Sequence, residues 1–201
     1  MRKASFWIGL MAMTGLVSCG SVDTLRKELV SRDSADQSFS MGWDHRPEAD
    51  QWTQVTMNAL QQHGANLPAM VPGDIETWCP HYPEASNVER RAFWTGLLSA
   101  LAKFESTWNP QAVGGGGLWI GLVQIDPRTA KGHGCEAQTV AALKDGAANL
   151  RCAVRIAAHQ VPKRGGTVSS GMRDWGPFHH DYSRSDMASW TRSQPYCASK
   201  S

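Results

Sequence analysis

The chain has 201 residues, of which 20 are basic and 18 acidic, and its formal net charge is +2 at pH 7. Only two of these charged residues precede Cys19, and both are basic, so the chain from Cys19 onward is neutral. A neutral chain gives no support for a nucleic-acid partner or for strong electrostatic steering of a ligand. Its apolar content is sufficient for one globular domain of about 150 residues.

The first 18 residues, 1–18, have the organisation of a secretion signal peptide. Two basic residues precede an apolar run from Phe6 to Val17, which is too short to span a bilayer of roughly 30 Å. Leu16 to Cys19 resembles the bacterial lipobox, which implies cleavage before Cys19 and a diacylglyceryl group on its sulfur. An ordinary cleaved signal with an unmodified cysteine is the alternative. By resemblance to lipoprotein sorting, Gly20 favours the outer membrane and a protein that faces the periplasm.

The rest of the chain divides into a tether and a domain. Residues 19–47 hold the lipidated cysteine and a polar stretch with few apolar anchors, which predicts a flexible tether. The predicted domain covers residues 48–201. It begins with a helix over Glu48 to His63, closed by Gly64, and continues through a proline-punctuated connector from Leu67 to Pro83.

The next helix carries the acid of greatest interest. Ser86 and Glu89 match a capping box, which predicts the helix start. One face is apolar and ends in a carboxyl: Trp94, Leu98, Leu101 and Glu105. Pro110 disfavours helical geometry at the residue before it, so the helix should end near residues 106–108. Burial and the unpaired carbonyls of a helix end both raise a carboxyl pKa, so Glu105 is predicted to be a general acid.

Several motifs in this region occur together and in order. Glu105-Ser106, Asn109 to Val113 and Gly121 to Ile125 resemble the catalytic core of lysozyme-like lytic transglycosylases of the soluble transglycosylase (SLT) type. Further on, Leu143 to Leu150 resembles the segment with which this family opens its next helix. The resemblance covers roughly residues 88–180, and the combination of motifs makes it fairly specific.

The predicted fold is mainly α, a lysozyme-like helical domain with little or no sheet. Only Leu118 to Ile125 suggests a short strand, and Gly114 to Gly117 is predicted to be a mobile flap over the cleft, with a plain linker as the alternative. A last helix is expected over Ser185 to Arg192. Before it, Asp145 is predicted to cap a long helix with one apolar face, made of Leu150, Val154, Ala157 and Val161.

Four cysteines remain once Cys19 is set aside, and an even number in an exported chain predicts two disulfides. Of the three pairings, we favour Cys135 with Cys152 and Cys79 with Cys197. The alternative is metal binding, by Cys135 with His133 or by the cluster His179, His180 and Asp181. Neither set has paired zinc spacing and the compartment is oxidising, so we predict no metal and no cofactor.

The SLT resemblance assigns catalysis to Glu105 and implies that Ser106 assists this glutamate or contacts substrate. It assigns the wall of the substrate cleft to Gln124 and the backbone around Gly121 and Leu122, with an ordinary packed turn as the alternative, and Asn149 is also predicted to contact substrate. A helix-terminal hydroxyl is the alternative role of Ser106. Trp119 is predicted to stack on a sugar ring, with Trp108 as a second candidate. The family usually closes its cleft with a tyrosine motif, which is missing here. The hydrogen bond that this tyrosine would give the glutamate is expected to come from Asp174, Trp175 or Tyr182, or to be absent.

The resemblance implies an enzyme that cleaves the β-1,4 bond between N-acetylmuramic acid and N-acetylglucosamine and leaves 1,6-anhydro ends. Its expected partners are the glycan strands of peptidoglycan and the membrane that holds its lipid anchor; an envelope machinery partner stays open. One rival is a hydrolytic muramidase on the same fold, in which Asp174 would serve as the second carboxylate. The other is a non-catalytic envelope lipoprotein that binds glycan.

Overall fold

The structure is a computed structural model that describes residues 39–198. The α-helices, in chain order, are α1 (Ala49–Gln61), α2 (Asn66–Ala69), α3 (Ile75–Trp78), α4 (Asn87–Ser106), α5 (Pro127–Gly132), α6 (Val140–Leu143), α7 (Gly146–Lys163), α8 (Val168–Gly171) and α9 (Asp181–Arg192). Short 3₁₀ turns cover Tyr82–Glu84, Gly115–Gly117 and Gly176–His179, and one hairpin pairs β1 (Val113–Gly114) with β2 (Trp119–Ile120). The prediction of a mainly α fold with little sheet is confirmed.

Helix α4 is the central element of the domain. It begins at the predicted capping box, where the Ser86 hydroxyl accepts from the Glu89 N–H and the Glu89 carboxylate accepts from the Ser86 N–H. Helices α1 and α9 both pack against it. Every residue from Ala92 to Ala102 is buried, so the expectation of a single apolar stripe is wrong: the middle of α4 is covered on all sides. Glu105 lies beyond this covered part, in the last turn.

The other long helices lie where the sequence predicts them, but some of their ends differ from the predicted ones. The Asp145 carboxylate caps α7 by accepting from the N–H of Ala148. Helix α1 ends at Gln61, and Gly64 closes it by donating its N–H to the Ala59 carbonyl. Helix α9 begins at Asp181, one turn earlier than predicted. The predicted apolar face of α7 is buried throughout, at Leu150, Val154, Ala157 and Val161.

Residues 39–48, here called the N-terminal segment, pack onto the domain. Met41 and Trp43 are buried, and the Trp43 indole donates to the Thr53 hydroxyl at 2.9 Å. Phe39 lies edge-on to the ring of Tyr196. The tether prediction is therefore wrong for residues 39–47, because apolar side chains within them are buried in the fold. The signal peptide, Cys19 and the tether up to residue 38 lie outside the described residues.

Both predicted disulfides are confirmed. Cys135 is joined to Cys152 on α7, and Cys79, directly after α3, is joined to Cys197 near the end of the chain. Because Cys135 is oxidised, it supplies no thiolate to a metal, which removes the alternative that paired it with His133. Within residues 39–198, no helix combines the length and the apolar character that crossing a membrane requires.

Candidate active site

The loop from Ile120 to Ile125 is a tight turn that begins at the end of β2. Ile120 and Ile125 exchange backbone hydrogen bonds of 3.1 and 2.9 Å, so the loop closes on itself. The side chain of Asn149 lies beneath it: its carbonyl oxygen accepts from the N–H of Val123 at 3.0 Å, and its amide donates to the Ile120 carbonyl at 2.9 Å. A buried amide with these bonds holds the loop in one geometry.

Two further side chains tie this loop to the rest of the domain. The Ser106 hydroxyl, at the end of α4, donates to the Leu122 carbonyl at 2.8 Å. The Trp175 indole donates to the Val123 carbonyl at 2.9 Å. Since Ser106 directly follows Glu105, the first of these bonds fixes the end of α4 against the loop.

The carboxyl of Glu105 lies partly buried in the last turn of α4. Its Oε1 atom is buried and has no hydrogen-bond partner within residues 39–198. Burial raises the pKa of the Glu105 carboxyl from its ordinary value of 4.5 to about 7. At neutral pH this group is therefore able both to give up a proton and to take one back, which is the property that a general acid and base requires.

The backbone directly after α4 is strained. Thr107 and Trp108 both adopt left-handed backbone conformations, with φ of 52° and 54°, although neither is a glycine. Such residues cost roughly 1 to 3 kcal/mol each and persist only where the surroundings hold them. The Trp108 indole donates to the Ser99 carbonyl at 2.8 Å, so the ring turns back along α4. That hydrogen bond employs the only polar atom of the side chain. Stacking of Trp108 on a sugar ring stays a prediction.

The glycine-rich hairpin packs against Trp119. Gly114 pairs with Trp119 across the hairpin, and a β-carbon on Gly115 would lie 2.7 Å from two atoms of the indole ring. A β-carbon on Gly114 would lie 2.5 Å from the side-chain oxygen of Gln124. A β-carbon on Gly115 would therefore meet the rigid indole ring, whereas one on Gly114 would displace the end of the flexible Gln124 side chain. Gly116 and Gly117 face open space. The mobility of this flap stays a prediction.

A cavity of about 500 Å³ opens beside the hairpin and Gln124. Its walls come from the hairpin, α5, α7 and the residues just before the last 3₁₀ turn. Trp119 lies at this cavity with half of its surface, 52%, exposed. The residues around it are Trp119, Gln124, Ile125, Asp126, Thr129, Gly132, His133, Ile156, His159, Gln160, Asp174 and Trp175. Glu105 is not among them, and Ser106 links its helix to the loop that carries Gln124.

Comparison with known proteins agrees with this geometry. The family model of the transglycosylase SLT domain matches residues 84–173. These residues include the end of α4, the hairpin, the loop from Ile120 to Ile125 and α7. Over these residues the chain is similar to transglycosylase SLT domains. An SLT domain indicates lytic transglycosylase activity on peptidoglycan. No curated protein sequence gives a significant match.

Solved structures of the protein DslA resemble the chain over most of its length. Wild-type DslA in its form 2 is 26% identical, with a TM-score of 0.70, and the match covers 79% of this chain and 98% of DslA. A DslA variant in which one glutamate is replaced by glutamine is also 26% identical, with a TM-score of 0.69 and coverage of 78% and 96%. The helical fold described above is thus shared with an experimentally determined structure.

The predicted substrate contacts separate into two groups. Gln124, Trp119 and Asp174 line the cavity. By contrast, Gly121, Leu122 and Asn149 are buried. The Asn149 amide donates to the backbone carbonyls of Ile120 and Leu143. A β-carbon on Gly121 would lie 2.2 Å from the Leu143 carbonyl. In this structure Gly121, Leu122 and Asn149 shape the loop, and contact of Asn149 or of the backbone around Gly121 and Leu122 with substrate stays a prediction.

Ser106 also has a structural role. Its hydroxyl donates to the carbonyls of Leu122 and Ala102, at 2.8 and 3.2 Å. The alternative role, a helix-terminal hydroxyl, thus describes its contacts within residues 39–198, with the addition that it holds the neighbouring loop. Contact of Ser106 with substrate stays a prediction.

None of the three residues expected to replace the missing tyrosine bonds to Glu105 in the described part of the chain. Trp175 donates to Val123, and Asp174 accepts from Arg164 at 2.5 Å and from Gln160 at 2.7 Å. Tyr182 is 77% exposed and lies edge-on to Phe104, the residue before Glu105.

Four polar residues at the cavity were not predicted as site residues: Asp126, Thr129, His159 and Gln160. His159 lies 5.0 Å from His133, ring to ring, and burial, together with His159, lowers the pKa of His133. The sequence could have indicated that two of them lie together, because Ile156, His159 and Gln160 fall at i, i+3 and i+4 on α7 and so share one face. Sequence alone did not show that this face borders an open cavity.

Proposed function

We propose that the protein is a membrane-bound lytic transglycosylase that cleaves the bond between N-acetylmuramic acid and N-acetylglucosamine and leaves 1,6-anhydro ends. The observation that carries this proposal is the carboxyl of Glu105. Within the SLT-like residues 84–173 it is desolvated, its buried oxygen has no partner in residues 39–198, and its pKa is raised to about 7. These are the properties of a proton donor at neutral pH.

The reaction needs one carboxyl used twice. The protonated Glu105 gives its proton to the bridging oxygen, and the glycosidic bond breaks through an oxocarbenium-like state. The resulting carboxylate then removes the proton of the muramyl 6-hydroxyl, whose oxygen bonds to C1 and closes the anhydro ring. The proton returns to Glu105, so the enzyme is regenerated and no water is consumed. Because the attacking hydroxyl belongs to the substrate, the step is intramolecular and gains from proximity.

The cavity beside Gln124 supplies a binding surface for the glycan. The half-exposed indole of Trp119 offers a flat apolar face, and sugar rings present C–H groups that pack on such faces. Amide, imidazole and carboxylate groups of Gln160, His159 and Asp126 surround the rest of the cavity. This mixture of an apolar platform and convergent polar groups suits a neutral, hydroxyl-rich ligand.

The hydrolytic alternative requires a second carboxylate that acts as base or nucleophile. Asp174 was the candidate, and both of its oxygens are engaged, one by the Arg164 guanidinium and the other by the Gln160 amide. A carboxylate matched in charge and hydrogen bonding is a weaker nucleophile than a free one. Its contacts therefore favour the transglycosylase over the hydrolase.

The test is the mass of the products. Purified peptidoglycan sacculi are digested with the wild-type protein, and the released muropeptides are analysed by mass spectrometry. Anhydro ends, which are one water lighter than reducing ends, are expected. Reducing ends would support the hydrolytic muramidase, and binding to sacculi without release of soluble fragments would support the non-catalytic lipoprotein.

The membrane part of the proposal rests on the lipobox-like residues Leu16 to Cys19 and on Gly20. Lipidation of Cys19 would hold the domain at the outer membrane, on the periplasmic side, next to its substrate. The Cys19→Ala variant is expected to leave the membrane fraction on cell fractionation. Unchanged membrane association of Cys19→Ala would contradict lipid anchoring.

A further inference from the structure

Trp108 closes the last turn of α4. Its backbone N–H donates to the Ala102 carbonyl at 3.1 Å, and its indole N–H donates to the Ser99 carbonyl at 2.8 Å. Ser99 and Ala102 lie in the last two turns of α4, so both hydrogen bonds tie Trp108 back to the helix that it follows. A tryptophan in a left-handed conformation is unfavourable by itself, so these contacts must hold it there. Glu105 lies within the turn that Trp108 closes.

The N-terminal segment contacts the same part of α4. The N–H of Gly42 donates to the Ser99 hydroxyl at 2.9 Å, and a β-carbon on Gly42 would lie 3.3 Å from that oxygen. His45 places its ring edge-on to the Trp108 indole, with 4.6 Å between ring centroids. Ser99 is thus contacted twice, at its hydroxyl by Gly42 and at its carbonyl by Trp108, while His45 lies against the indole.

We propose that Trp108, braced by Gly42 and His45 of the N-terminal segment, is a positioning residue that fixes the last turn of α4 and with it the carboxyl of Glu105. The inference rests on the proposed role of Glu105 as proton donor. A displacement of about 1 Å in a catalytic group lowers the rate of reaction far more than it weakens substrate binding. Loss of these contacts is therefore expected to change kcat more than KM.

The test compares two tryptophans that face one small space. Trp190 on α9 and Trp108 both line a cavity of about 130 Å³, together with Gly42 and Lys103. The Trp190 indole nitrogen makes no hydrogen bond within residues 39–198, whereas that of Trp108 bonds to Ser99. Trp108→Phe removes the donor and keeps an aromatic ring, and Trp190→Phe is the matched control.

Kinetics are measured on soluble glycan chains, so that kcat and KM are obtained separately. Trp108→Phe is expected to lower kcat about 2- to 10-fold, the range for loss of one hydrogen bond, with KM within about twofold. The alkaline limb of the kcat/KM profile should move to lower pH, because a looser helix end hydrates Glu105 and lowers its pKa. Trp190→Phe should show neither change.

A folded Trp108→Phe protein with wild-type kcat and pH profile would overturn the proposal, as would equal effects in Trp190→Phe. If Trp108→Phe does not fold, the test uses His45→Ala instead, because the side chain of His45 is exposed. A lower kcat with the same pH shift in His45→Ala supports the positioning role of Trp108, and wild-type behaviour overturns it. Glu105→Gln separates the two proposals. If Glu105→Gln stays active, the proposed function fails; if it is inactive while Trp108→Phe behaves as wild type, only the brace fails.

Discussion

Glu105 and Asp174 are two carboxyl groups in one domain with opposite surroundings. Asp174 accepts from the Arg164 guanidinium at 2.5 Å and from the Gln160 amide at 2.7 Å. Glu105 has a buried oxygen without a partner in residues 39–198. An opposite charge and hydrogen bonds favour the anion, whereas burial without them favours the neutral acid. The fold thus matches the charge of one carboxyl and leaves the other to hold a proton.

The difference follows from where each residue lies. Glu105 is at the end of a helix whose middle is buried on every side, so its carboxyl remains close to the apolar core. Asp174 follows α8 and faces long polar side chains of α7 and of the residue after it, which reach its oxygens from partly exposed positions. In this fold a carboxyl therefore becomes a proton donor because no charge or hydrogen-bond partner stabilises its anion.

The largest expected effect is on the rate of Glu105→Gln. Glutamine keeps the shape and the hydrogen-bonding capacity of the side chain but supplies no proton. Loss of a positioned general acid typically lowers the rate 10²- to 10⁴-fold. Release of muropeptides from purified sacculi measures the rate, and circular dichroism with a melting curve controls for folding. A folded Glu105→Gln protein that releases muropeptides at the wild-type rate would refute the role of Glu105.

The second prediction concerns stability and pH. The pKa of Glu105 is about 7 in the folded state against 4.5 ordinarily, so the folded state binds the proton more tightly than the unfolded state does. Stability is therefore lost as pH rises from about 4.5 through 7, and the full cost, on the order of 3 kcal/mol, is present above pH 7. Glu105→Gln should be more stable than wild type by that amount at pH 8 and about equal at pH 4.

Urea unfolding at both pH values, with the disulfides intact, measures this difference. Asp174→Asn is the matched control, because its charge has a partner and its removal should destabilise the protein at pH 8. Equal stabilities of wild type and Glu105→Gln at both pH values would show that the Glu105 carboxyl is not desolvated in solution. An active site that is stabilised when its acid is neutralised is a recognised trade-off between stability and function.

Local rules explain which parts of this molecule could be predicted from sequence. The capping box at Ser86, the Asp145 cap and the end of α4 each depend on a few adjacent residues, and the structure confirms all three. The disulfide pairing also followed from the even number of cysteines and their positions along the chain. Glu105 was placed in the last helical turn before the structure showed its burial.

Contacts between distant segments could not be predicted in the same way. Asn149 belongs to a motif, but only its position under Val123 shows that it holds a loop. Trp108 could equally have faced outward, since its inward turn depends on a left-handed backbone and on His45 in the N-terminal segment. That segment read as a tether because its polar residues outnumber the few apolar ones that are buried.

The smallest expected effect is that of Asp174→Asn. The side chains of Asp174 and Arg164 are 28% and 36% exposed, and ion pairs in such positions contribute about 0.2 to 1 kcal/mol. Asparagine keeps one oxygen that can accept from Arg164 or Gln160, so the cavity wall should keep its shape. If the muramyl 6-hydroxyl is the nucleophile, the enzyme needs no second carboxylate, and activity should stay within about threefold of wild type.

A hydrolase with two carboxyl groups would instead be disabled by Asp174→Asn as severely as by Glu105→Gln. Both variants are therefore assayed side by side on sacculi, with the masses of the products recorded. A folded Asp174→Asn protein that loses more than 10²-fold in rate would show that Asp174, like Glu105, belongs to the catalytic machinery.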